Sequence, residues 1–189
     1  MSAKKSIIAA AGFLCLLVGA LPAAAADDEA DAIAMVKRIQ RAATENTMAT
    51  LRDGFDAEAT ARTVLGTRWS GASDKDRRDF IELIEEVVPE ALKQRLGGHD
   101  RKFSVLGSRR LSNGDILVSS RITQPNGHVL ALGWRVARCG PASCIGDLIA
   151  DGASLTVVRR DDVAARLGAN GGSISDLIAA LRKSPQRGP

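Results

Sequence analysis

The sequence predicts an α+β domain in which helices pack on one side of a curved, mainly four-stranded antiparallel sheet. Three observations predict it. Apolar residues recur at helical spacing up to about residue 96 and again after residue 160, but alternate with polar ones between residues 102 and 157. Ser112-Asn113-Gly114 and Pro125-Asn126-Gly127 place hairpin-type turns inside the alternating stretch. Helices, strands and helices follow one another with no repeat and no low-complexity linker, the order of one α+β domain.

The first 26 residues read as a separate secretory signal. Lys4 and Lys5 are followed by an uncharged apolar run from Ile7 to Leu21 and by Ala24-Ala25-Ala26, a small-residue cleavage pattern, just before Asp27. The run is short for a membrane span and lacks flanking Lys or Arg on its far side. Residues 27–189 are then the mature domain. Removing Lys4 and Lys5 lowers the basic count from 26 to 24 against 22 acids, which weakens any reading as a polyanion binder. Aromatic residues make up only 3%, with no Tyr, so a base-stacking surface for nucleic acid is not expected and the core must be aliphatic.

In the mature chain, Ile33, Val36, Ala43, Thr47 and Leu51 share one face of a helix expected from Asp28 to about Arg52, stopped by Gly54. Asp56 caps a second helix through Ala57, Ala61, Val64 and Leu65. Ser73 with Asp76 three residues on begins a third, which runs to Leu96 and ends at Gly97-Gly98. Pro89 within it removes a backbone donor and crowds the carbonyl of Glu85, so a kink or a division into two helices is expected. Phe103 and Val105, then Ile116, Val118 and Ile122, then Leu130, Leu132, Trp134 and Val136 alternate as strands with one apolar side. A fourth strand covers about Cys144 to Asp151, Val163 and Leu167 mark a short helix, and Ser173 with Asp176 caps a last one carrying Ile174, Leu177, Ile178 and Leu181.

Cys15 leaves with the signal, which puts Cys139 and Cys144 alone in an exported chain, one short loop apart. A disulfide clamping the turn between the third and fourth strands is expected. The rival, a zinc site with His99 and His128, lacks ligand spacing. No nucleophile elbow, P-loop or dinucleotide fingerprint is present. Asp147 and Asp115 are the candidate general acids or bases, each without a partner base in the sequence, and Arg109-Arg110 and Arg159-Arg160 read as solvated pairs. The broad apolar stripe of the third helix, facing an aliphatic sheet, could bound a greasy cavity or form a packed core; residue types alone favour the packed core.

Two segments resemble the MlaC family, described as periplasmic lipid carriers of an ABC transport system and as toluene-tolerance proteins. One runs from Phe55 through Val64-Leu65-Gly66 to Trp69, then Ala72 to Phe80; the other is Asp147-Leu-Ile-Ala-Asp-Gly-Ala-Ser-Leu155 followed by Gly171-Gly-Ser-Ile-Ser-Asp-Leu-Ile-Ala-Ala-Leu181. The chain departs from the family pattern at Ala91 and at Ser143-Cys144, where members carry aromatic residues, and the Cys pair is not a general family feature.

The resemblance implies a monomeric carrier, not an enzyme, that needs no cofactor and takes phospholipid or a hopanoid-like lipid as cargo. It would shuttle between an inner-membrane ABC transporter complex and an outer-membrane lipoprotein complex. The implied lipid-binding residues are Phe80, Leu83, Ile84, Val87, Val88 and Leu92 on the helix, with Val105, Ile116, Val118, Ile122, Leu130, Leu132 and Trp134 on the sheet. Acyl chains would bind by desolvation, at about 0.8 kcal/mol per methylene. The alternatives are a cone-shaped enzyme working on an apolar substrate through Asp147 or Asp115, and a fully packed adaptor.

Overall fold

A computed structural model describes residues 23–169 and 172–183. The signal expected over residues 1–26 lies outside the described residues except for its last four, which begin the first helix. The elements are α1 (Ala23–Glu45), α2 (Met48–Asp53), α3 (Ala57–Leu65), α4 (Arg68–Gly71), α5 (Asp74–Leu96), β1 (Lys102–Arg110), β2 (Ile116–Thr123), β3 (Val129–Cys139), β4 (Ala142–Ala150), β5 (Ala153–Ser154), α6 (Leu155–Ala169) and α7 (Ile174–Lys183). The strands form an antiparallel meander in the order β1-β2-β3-β4-β5. The predicted α+β class is thus observed, with a two-residue fifth strand added to the four expected.

The first helix is shorter than its apolar spacing suggests. Asn46 takes φ 58°, a left-handed conformation that Asn tolerates, so the chain breaks between α1 and α2 and Thr47 becomes an exposed helix-start residue. Asp56 caps α3 by accepting from Ala59 N at 2.8 Å, and Ser73 caps α5 by accepting from Asp76 N at 3.1 Å. Ser173 likewise accepts from Asp176 N at 3.1 Å in front of α7.

Pro89 does not divide α5, which continues through it with the ring buried. Its missing N–H leaves the Glu85 carbonyl without its usual helical partner. Arg52 Nε of α2 donates to that oxygen at 3.5 Å, a tertiary substitute for the lost bond. Gly97 ends the helix at φ −66°, not by left-handed geometry; a Cβ there would lie 3.0 Å from the Ala43 carbonyl of α1, so the glycine permits close helix approach.

Both Asn-Gly turns close with positive φ on the glycine alone, 91° at Gly114 and 83° at Gly127. The asparagines instead use their side chains, Asn113 Oδ1 accepting from Asp115 N at 3.2 Å and Asn126 Oδ1 from His128 N at 3.0 Å.

The helices divide the interior in two. α1 lies across the inner face of β1–β4, and α5 packs against α1, α2, α3 and α7. One apolar cluster joins the sheet to α1, α2 and the C-terminal end of α5; the other joins α3, the N-terminal part of α5, α6 and α7. The expectation that α5 would be the principal helix over the sheet is therefore corrected: α1 holds that place, with Ala32, Ala42 and Ala43 permitting close approach and Met35, Val36 and Ile39 filling the space between them and the sheet.

Candidate functional site

The inner sheet face is built by strict alternation. Ile116, Val118 and Ile122 of β2 and Leu132, Trp134 and Val136 of β3 are buried, while their chain neighbours face outward. Register places Val118 opposite Trp134, Ile122 opposite Leu130 and Phe103 opposite Ile122, a continuous apolar surface across three strands. Phe103 meets the Trp134 ring edge-on at 6.5 Å between centroids. One polar side chain interrupts this surface: Ser120 is buried, and its Oγ accepts from Trp134 Nε1 at 2.7 Å.

The residues implied as lipid-binding are not all brought together. Val105, Ile116, Val118, Ile122, Leu130, Leu132, Trp134, Val88 and Leu92 share the cluster under α1. Phe80 and Leu83 belong to the helical cluster with Leu65, Leu167 and Leu177, and Ile84 and Val87 pack against that same cluster. The stripe on α5 looked unusually broad because its two halves serve different cores. Sequence reasoning missed Ala32, Met35, Val36 and Ile39 as partners of the sheet; the signal was an alanine-rich helical face, which permits approach to a sheet but does not say to which.

The end of the α1–sheet seam is pinned by charge. Asp28 accepts from Arg110 Nη2 of β1 at 2.8 Å and from Arg138 Nη2 of β3 at 2.6 Å, and Ser108 Oγ donates to Glu29 Oε2 at 2.5 Å. Hydrogen bonds from Arg110 and then Arg138 hold the Asp28 carboxyl below its ordinary range. A shallow cleft open to solvent adjoins this clamp and is lined by Asp28, Ala32, Ile116, Val136 and Arg138 among others. Of the implied lipid-binding residues only Ile116 reaches it.

The catalytic candidates are engaged structurally. Asp147 Oδ1 accepts from Leu148 N at 2.8 Å and from Thr156 N and Oγ1 at 3.2 and 2.7 Å, and its Oδ2 accepts from Ser154 Oγ at 2.6 Å. That carboxylate ties β4 to the start of α6. Asp115 accepts from Arg135 Nη1 and Asn113 Nδ2, each at 2.8 Å.

Cys139 and Cys144 are joined in a disulfide across the β3–β4 turn, with Cα atoms 5.8 Å apart. Asp56 lies beside it, 3.7 Å from Cys139 Sγ. Asp56, Cys139 and Cys144 form the group of potential metal ligands found among the described residues; it includes neither His99 nor His128, and its sulfurs are spent on each other.

An antiparallel meander whose inner face is apolar at its centre, with one satisfied serine, and polar where Ser108, Arg110 and Arg138 meet α1, defines an α+β protein of the kind that buries apolar surface between sheet and helices. The MlaC protein family model matches residues 26–183, and the chain belongs to the MlaC family. Among solved structures it is similar to a phospholipid-binding protein from Ralstonia solanacearum determined in complex with a phospholipid. The TM-score is 0.65 and the identity 18%, over 84% of this chain and 96% of that one. No curated protein matches the chain in sequence.

Proposed function

We propose that this protein is a periplasmic phospholipid carrier that holds acyl chains in the seam between the inner sheet face and α1, with Val88 and Leu92 of α5 closing one side. Membership of the MlaC family over nearly the whole mature chain carries the reading, and the phospholipid bound by the similar Ralstonia protein supports it. The seam suits the task physically. Met35 on α1 can repack around a guest chain, and the sheet opposite it is apolar. Phe80, Leu83, Ile84 and Val87 then stabilise the second cluster that anchors α5 instead of touching the tails.

Head groups would remain in solvent, which accounts for a carrier with few committed polar side chains in its interior. The carrier would be monomeric, would work without cofactor or covalent chemistry, and would pass lipid between inner- and outer-membrane complexes of an ABC transport system after export by a cleaved signal. Phospholipid is the cargo favoured, with hopanoid-like lipids as the alternative. Native mass spectrometry of protein isolated from periplasm tests the reading. One lipid per chain is expected, and lipid-free protein that takes up none from phospholipid vesicles would overturn it in favour of a packed adaptor.

A further inference from the structure

The sheet has a second face that the described helices leave uncovered except at its β4 edge, where the first turn of α6 meets Asp147. Because Phe103, Ser120, Ile122, Leu132 and Trp134 point inward, their neighbours Lys102, Ser104, Arg121, Ala131 and Gly133 point outward, and register lines them up across β1, β2 and β3. The β1 bulge between Val105 and Gly107 exposes Leu106 at 57%, and Val129 at the start of β3 is exposed at 47%. At the centre Gly133 lies between Leu117 and Ile149, whose side chains would be 3.3 and 3.4 Å from a Cβ placed there. Ser119 and Ala131 beside it are short, so the middle of the face is a shallow, partly apolar recess.

Lys102, Arg109 and Arg121 flank that recess on its β1–β2 side, and none makes an ion pair with the described residues. The acids of this side are mostly engaged, Asp115 with Arg135 and Asp147 with the start of α6, leaving Asp151 at the margin. An apolar, small-residue centre with cations along one side has the anatomy of a protein–protein contact.

We propose that the outer face of the sheet docks a partner protein whose contact surface carries carboxylates to one side of a protruding apolar side chain. A second copy of this chain is disfavoured, since a self-contact would set Lys102, Arg109 and Arg121 against their own equivalents. The chain's segments outside the described residues do not supply the occupant either, because residues 1–22 and 184–189 contain no acid. A bilayer fits less well than a protein, because the recess calls for something that projects into it.

A photo-crosslinking benzoylphenylalanine in place of Ser119, in the full chain expressed in its own cells, tests this. Lys37 on α1 serves as the exposed control position. The expected result is an adduct with one protein from Ser119 and not from Lys37, reduced at least tenfold by the Lys102→Glu/Arg121→Glu double variant and restored by charge reversal of acids on the partner identified. Loss of the Ser119 adduct's specificity, indifference to the charge reversal, or binding to vesicles of three parts phosphatidylcholine to one part phosphatidylglycerol without a protein adduct would overturn it. Lipid content of the same preparations reports separately on the carrier reading, so the two stand or fall independently.

Discussion

Trp134 donates its indole N–H to Ser120 Oγ at 2.7 Å, with both side chains at most 1% exposed. This bond joins β2 to β3 in the middle of an otherwise apolar surface, and it fixes the ring against which Phe103 rests. Ser120→Ala leaves the indole donor buried without a partner, at a cost of about 1–3 kcal/mol. Chemical denaturation should show that loss with an unchanged dependence on denaturant, and a variant as stable as the parent would mean that water reaches the ring.

The Cys139–Cys144 bond closes a very short loop, so its chain-entropy contribution is at the low end of what disulfides supply, about 2 kcal/mol. Replacing both by Ser should lower the melting temperature by several degrees and leave a cooperative transition, because the hairpin is held independently by the pairing of Ala137 with Cys144 and of Val136 with Ile145. Free thiols in protein taken directly from periplasm would contradict the bond itself.

Acid should loosen the α1 clamp first. The Asp28 carboxyl is held below its unfolded value by Arg110 and Arg138, so its contribution is complete above about pH 5 and is lost as pH falls through the depressed folded value. Asp76, lowered by the hydroxyls of Ser175 and Ser73, behaves alike between α5 and α7. In Asp28→Asn the decline of melting temperature between pH 5 and 3 should be shallower than in the parent; equal slopes would show that the ion pairs do not act in solution.

Gly66 occupies φ 56°, ψ −129°, a region that residues with a side chain rarely enter. Gly66→Ala should cost about 1–3 kcal/mol by thermal or chemical melting, and a neutral result would mean that α3 ends differently. The same turn explains Trp69, over whose ring the guanidiniums of Arg62 and Arg77 lie at 5.2 and 5.6 Å.

These residues show what was legible. Local rules read well: the caps at Asp56, Ser73 and Ser173, the four principal strands and the disulfide depend on neighbours in sequence. Val64-Leu65-Gly66 and Trp69 could be recognised as a motif, but their reason, a turn only glycine enters freely beside a Trp ring covered by two arginines, needed the fold. What stayed hidden was pairing between distant elements. Periodicity shows that α5 has apolar sides, yet whether Phe80 and Leu92 face one core or two depends on where α1 lies. The break at Asn46 escaped because the apolar spacing continues across it to Leu51, while only the backbone angle changes.

The central claim, that acyl chains occupy the seam between α1 and the inner sheet face, is tested most directly with a phospholipid carrying a diazirine near the end of one acyl chain. After loading, illumination and digestion, mass mapping should find adducts on peptides containing Met35, Val118 or Trp134. Adducts confined to α6, α7 or the Phe80–Val87 stretch of α5, with the seam unlabelled, would contradict the account.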